Sequence, residues 1–173
     1  MVMNPFQNNR EDPTDPVGLL LDCHARIRHF TGVAQKMIGP HDADDESVRL
    51  AAESVARYFE KALPLHAEDE DDSLLPRLES AGVACETERM HAEHAEIHSL
   101  IGELLPSWKK LIDEPASLPE LREQLAGSTR RLSEVFEKHL AYEEAELFPH
   151  VGGVLDEALR RKIFSEMRAR RAP

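Results

Sequence analysis

The feature that most constrains this chain is a polar device set twice into an apolar helical stripe. Residues 66 to 78 read HAEDEDDSLLPRL and residues 139 to 151 read HLAYEEAELFPHV. Both run His, three residues, Glu, a second acid, two residues, Leu, an apolar residue, Pro, and an apolar residue two later, 73 positions apart. Helical residues four apart share a face, so His66 with Glu70 and His139 with Glu143 each form a two-pronged claw. Each claw continues the apolar stripe of its own segment, which must turn inward. Buried carboxylates and imidazoles without partners cost several kcal/mol each, so such a fold needs a positive partner at its axis.

The rest of the chain supplies the helices that would surround that axis. From Val17, Leu20, His24, Ile27, Phe30, Ala34 and Met37 recur at three and four until Gly39-Pro40 stops the pattern. A second stretch opens at the acidic HDADDES and runs through Val48, Ala52, Val55, Phe59, Ala62 and His66 to Leu75, with Pro64 predicting a kink before His66. A third carries Met90, His94, Ile97, Ile101, Leu104, Trp108 and Leu111, with Pro106 threatening a kink near its end. A fourth runs from about Pro119 through Leu125, Leu132, Phe136, His139 and Leu147 to Phe148. The first and third helices echo each other: HARIRHF from His24 and HAEIHSL from His94 share His, Ala and Ile at an offset of 70. Two helical hairpins, each giving a lone His and then an HxxxE, predict an all-α, antiparallel up-down-up-down four-helix bundle. Residues 1–16 form a mobile lead-in and 17–151 the bundle. Gly152-Gly153 punctuates the chain before a short C-terminal helix within 152–173 that packs across the bundle or frays.

Composition narrows the function. At 173 residues there is room for one core, and aromatic residues are only 5%, which disfavours a strand-rich fold. A net charge of −12 repels phosphate backbones and anionic lipid heads, so neither nucleic acid nor a membrane surface is an expected partner. No run approaches the roughly 18 apolar residues of a membrane helix, and the polar start lacks the apolar core of a secretion signal. A cytoplasmic location is the expectation, and Cys23 and Cys85 read as reduced, half-buried thiols. HExxH is absent, only Glu88 with His91 fits the Glu-x-x-His spacing of ferritin-like bundles, and no phosphate-binding glycine loop or nucleophile elbow occurs.

A metal pair is the partner this donor set suits. Imidazole binds iron, copper, nickel or zinc, and a carboxylate can bridge two cations about 3.5–4 Å apart. Glu70 and Glu143 would bridge, with His24 and His66 leaning to one ion and His94 and His139 to the other.

The segments CHARIRHF around His24, HAEDEDDSLLPRL around His66, MHAEHAEI around His94 and HLAYEEAELFP around His139, spanning residues 18–151, resemble the hemerythrin-like, or HHE cation-binding, family. The resemblance implies a non-haem centre of two Fe ions, with zinc or manganese also suited to the donors. Its ligand positions fall on His24, His66, Glu70, His94, His139 and Glu143. His98 is an open seventh position, matching the further third-helix His of the oxygen carriers; the spacing of Glu143 after His139 matches the group with four histidines. Of the other histidines, His91 reads as a partly exposed neighbour, and His29, His41 and His150 as solvated. Tyr142 packs beside the site, and Cys23 is turned about 100° from the ligand face. The resemblance implies binding or sensing of O2, NO or a related small molecule. The alternative is a redox enzyme acting on peroxide or nitric oxide with an unidentified electron donor, or an iron supply for damaged clusters. The sequence leaves turnover open.

Overall fold

The computed structural model describes residues 15–40 and 42–172; most of the predicted lead-in, and His41, lie outside them. Helix α1 spans Pro16–Ile38, entered through Asp15, whose side chain accepts from the Gly18 amide, with Pro16 at the first helical position. Helix α2 is one rod over residues 45–80, capped by Asp44 accepting from the Ser47 amide. It ends at Gly82, whose φ of +85° lets the Val83 amide turn back to the Leu78 carbonyl at 3.0 Å. Helix α3 spans Thr87–Asp113. Helix α4 runs over residues 118–154, and α5 spans Glu157–Arg170 behind an Asp156 cap.

The rods α2 and α4 are not uniformly α-helical. Three widened, π-type turns occupy Tyr58–Ala62, Asp69–Leu74 and Glu143–Leu147. Each is followed by a proline, which favours the widening. Pro64, Pro76 and Pro149 carry no N–H to return to the carbonyl four residues back, and their rings push that carbonyl away. The residue before each proline donates one step further: Leu63 to Tyr58, Leu75 to Glu70 and Phe148 to Glu143. The Arg77 guanidinium covers carbonyls exposed around Pro76, reaching that of Ser73 at 2.7 Å. The kink expected at Pro64 is thus a widened turn, and α3 runs through Pro106 as continuous α-helix. Gly152 and Gly153 do not punctuate either: α4 continues to Val154, since glycine weakens a helix by about 1 kcal/mol without forbidding it. The break comes at Leu155, where the backbone turns extended before the α5 cap.

Two apolar clusters fill the interior. One gathers Ile27, Ala34, Phe59, Leu63, Ile97, Ile101, Leu104, Trp108, Leu132 and Phe136; the other gathers Leu20, Leu74, Leu78, Met90, Leu147, Val151, Ile163 and Met167. Along α1 and α3 the chain passes from the second cluster to the first, and along α2 and α4 from the first to the second. That alternation, with packing of α1 on α2, α2 on α3, α3 on α4 and α4 on α1, is an up-down-up-down ring. Helix α5 closes the end holding the second cluster, packing on α1 and on the widened turn Asp69–Leu74. There Asp69, fully buried, takes Arg170 at 3.0 Å and Arg171 at 2.6 Å.

Trp108 is the largest fully buried side chain and stacks on Phe59 with ring centroids 5.5 Å apart. Trp108→Ala is expected to destabilise the bundle by roughly 3–5 kcal/mol, read as a lower urea midpoint with an unchanged slope. An unshifted midpoint would contradict this packing.

Candidate metal centre

Every helix of the ring contributes to one polar layer between the two apolar clusters. α1 brings His24, α2 His66 and Glu70, α3 His94, and α4 His139 and Glu143. All but His94 are essentially shut off from solvent. Both glutamates lie within the widened turns, and their own carbonyls accept the long-reaching amides of Leu75 and Phe148. The Leu-x-Pro tail repeated in the sequence is therefore the local cause of the backbone on which each claw's carboxylate sits.

The two carboxylates divide their oxygens between the histidine pairs. Glu70 Oε1 lies 3.3 Å from His66 Nε2, and its Oε2 lies 3.3 Å from His94 Nε2. Glu143 Oε2 lies 3.0 Å from His24 Nε2, and its Oε1 lies 3.1 Å from His139 Nε2. Two quartets result, each with its donor atoms within 4.8 Å of one another: His24, His66, Glu70 and Glu143, and Glu70, His94, His139 and Glu143. Yet none of the four carboxylate oxygens, nor His24 Nε2 or His66 Nε2, has a hydrogen-bond partner. Buried polar atoms are ordinarily paired, and donors this close without hydrogen-bond directions are what a shared cation would satisfy. The residues present fit a pair of metal ions.

Acids outside the layer hold the rings. His24 Nδ1 donates to Glu144 at 2.8 Å, and Arg28 donates to the same oxygen at 2.7 Å. His139 Nδ1 donates to Glu93 at 2.8 Å, and His94 Nδ1 lies 3.3 Å from Asp71. When such a ring is neutral, a proton held on Nδ1 leaves the Nε2 lone pair facing inward, the tautomer a metal needs. Without a metal, His94 Nε2 and His139 Nε2 lie 3.1 Å apart, a hydrogen bond that needs a proton on one of them. Burial alone would disfavour the imidazolium of His94, but Asp71 and Glu70 outweigh it and push its pKa up to about 10. Burial likewise opposes protonation of His24 and His139, and Glu143 is the main carboxylate that overcomes it and raises both. His66, fully enclosed, is pushed down to about 3 by burial. Glu70 is raised to about 7 by burial and by the neighbouring Glu143 charge, while His139 and His24 outweigh burial at Glu143 and hold it low.

The structure brings the six predicted residues together and leaves His98 outside both quartets. His98 is exposed and lines a cleft of about 540 Å³ between α2 and α3, whose inner end is formed by His66, His94 and His139. His29, His91 and His150 are exposed, with His91 3.5 Å from Asp71. Tyr142 packs at the second apolar cluster under the Arg89 guanidinium, 4.4 Å from its ring centre. Cys23 and Cys85 are unpaired and buried, Cys23 accepting from Arg171 at 3.6 Å. Sequence reasoning missed three residues. Asp71 and Glu144 were visible as the second acid of each repeat: the acid after each claw glutamate orients the lone histidine of another helix. Glu93 had no such signal, since Cys23 stands at its echo position.

Glu144→Ala is expected to weaken metal binding roughly 10–100-fold in chelator competition, because His24 loses the acceptor that fixes its ring. Unchanged affinity would remove Glu144 from the site. Metal entry must also strip the protons that His24, His94 and His139 hold above the usual histidine range. Affinity should therefore rise as pH rises towards the His94 value of about 10. Calorimetry in buffers of different ionisation heat should show proton release; none would contradict the assignment. The same three histidines stabilise the metal-free bundle in full below about pH 6.5, and that contribution fades as pH climbs through their raised folded values.

A family model, the hemerythrin HHE cation binding domain, matches residues 15–151. A protein of Haemophilus influenzae described as "Uncharacterized protein" is 24% identical over 136 residues, covering 75% of each chain. No solved structure matches. The family match takes in all four helices that feed the polar layer and stops short of α5, and on that match the chain belongs to the hemerythrin HHE cation-binding family.

Proposed function

We propose that the protein holds two non-haem iron ions on its axis and binds or senses O2, NO or a related small molecule there. His24 and His66 would serve one ion and His94 and His139 the other, with Glu70 and Glu143 shared. The observation that carries this reading is the division of both carboxylates between the two histidine pairs, each oxygen facing a different imidazole. Four protein donors per ion leave positions open, and bound iron supplies a redox-active centre at which a small ligand can attach. The protein's own part is to hold the rings through Glu144, Asp71 and Glu93 and to control approach. Phe59, Leu63, Ile97, Ile101 and Phe136 wall the cleft and keep it apolar, which favours neutral small molecules over ions.

The same cleft supports a second reading, a redox enzyme acting on peroxide or nitric oxide, because it gives solvent-borne molecules a way to His94 and His139. The deciding experiment is metal analysis of purified protein with visible spectra in air, after reduction, and after adding NO. Two irons per chain with bands that change reversibly with the gas support binding or sensing. Turnover with a reductant and no lasting adduct supports the enzyme. Well under one iron per chain sinks both.

His139→Ala and Glu143→Ala are each expected to lose most of the metal and to lower thermal stability, since metal binding is linked to folding. Two irons per chain in both variants would overturn the ligand set. His98→Ala and His91→Ala should keep the wild-type metal content; a loss in His98→Ala would restore His98 as a ligand.

A further inference from the structure

A second pocket, of about 440 Å³, lies between α1 and α2 and shares no lining residue with the cleft beside the polar layer. Its charge is out of keeping with the chain. The protein carries 33 acidic and 21 basic residues, yet the pocket is lined by Arg26, Arg57, Lys61 and Arg171 and by no carboxylate. Several arginines elsewhere on the surface pair with acids, Arg28 with Glu144, Arg49 with Glu46, Arg89 with Glu93 and Arg131 with Glu96, while among the described residues Arg122, Arg130, Arg160 and Arg168 stand singly without one. Arg171 is committed to the buried Asp69. Among the described residues, Arg26, Arg57 and Lys61 have no ion pair. Arg57 and Lys61 line the pocket from α2, and Arg26 lines it from α1. The widened turn Tyr58–Ala62 forms part of the wall, which apart from the cations and Ser54 is mainly apolar, with Phe30 stacked on Tyr58 at 4.2 Å between ring centres.

From this convergence we infer a binding site, separate from the metal centre, for a small organic anion of about two charges, an organic phosphate being the best match. Guanidinium groups meet phosphate oxygens through paired N–H donors, and Lys61 adds a point charge. Phe30, Ala62 and Leu65 offer the organic part an apolar surface. Three cations around one pocket in a protein of net charge −12 concentrate a positive field that no ion pair offsets, and a bound dianion relieves their mutual repulsion. The inference does not rest on the metal reading.

Calorimetric titration of the full chain with phenyl phosphate tests it. One saturable site is expected, weakening as salt is added. Arg57→Glu combined with Lys61→Glu, both exposed positions, should cost about tenfold or more in affinity. Arg131→Glu, on α4 outside this pocket, should leave the affinity unchanged. Thermal melts of both variants verify that the bundle is intact. Inorganic phosphate should bind more weakly than phenyl phosphate. The proposal is overturned by absence of saturable binding, by equal affinity in the wild type and the double variant, or by inorganic phosphate binding as tightly as the ester.

Discussion

The structure depends on burying two carboxylates and four imidazoles in one layer on the axis of an apolar bundle. Such a layer is costly to bury: Glu70 and Glu143 are fully buried, and their oxygens lack hydrogen-bond partners. Two responses are built around it. Apolar clusters above and below carry the folding free energy, so the layer need not stabilise the bundle. An outer set of acids, Asp71, Glu93 and Glu144, holds three of the four rings with Nε2 inward. The result is a strong demand for cationic charge in a largely enclosed layer reached from one side by the cleft.

The backbone serves the same end. Widened turns weaken helices and are rare, yet two of the three here coincide with the site glutamates. Proline at 76 and 149 favours them, so the same local chemistry sits in both halves of the repeat. Conformity between the halves extends outward: Asp71 serves the lone histidine of α3, and Glu144 serves that of α1. Glu93, the widened turn Tyr58–Ala62 and α5 fall outside this symmetry. Arg170 of α5 and Arg171 just beyond it neutralise Asp69, the residue before Glu70, and tie the end of α5 to the turn that carries a site carboxylate.

Much of this was legible in the sequence because helical periodicity and the HxxxE spacing act locally. Residues four apart share a face whatever lies opposite, so each claw, the lone histidines at matching offsets and the four apolar stripes could be read directly. The Leu-x-Pro tail was equally visible, but its meaning was not: a proline shows as a helix breaker, and whether a rod bends, ends or widens depends on what packs against it. Pro106 and Pro64 differ in outcome: α3 stays α-helical through the first, and a widened turn precedes the second. Likewise Gly152-Gly153 looked like a stop, while Val151 and Leu155 are anchored in the second apolar cluster and carry the helix through.

What the sequence determined by itself was the helical class, the two-hairpin repeat and the donor types, since these follow from spacing and residue chemistry within single helices. Only the tertiary structure decided how the donors divide, with one oxygen of each carboxylate facing each histidine pair, because that division is a relation between four helices. It also decided that His98 stands in a cleft wall and that Glu93 holds His139. Charge followed the same rule. The net −12 was plain from the chain, but the gathering of Arg26, Arg57 and Lys61 into one unpaired cluster exists only where α1 and α2 come together.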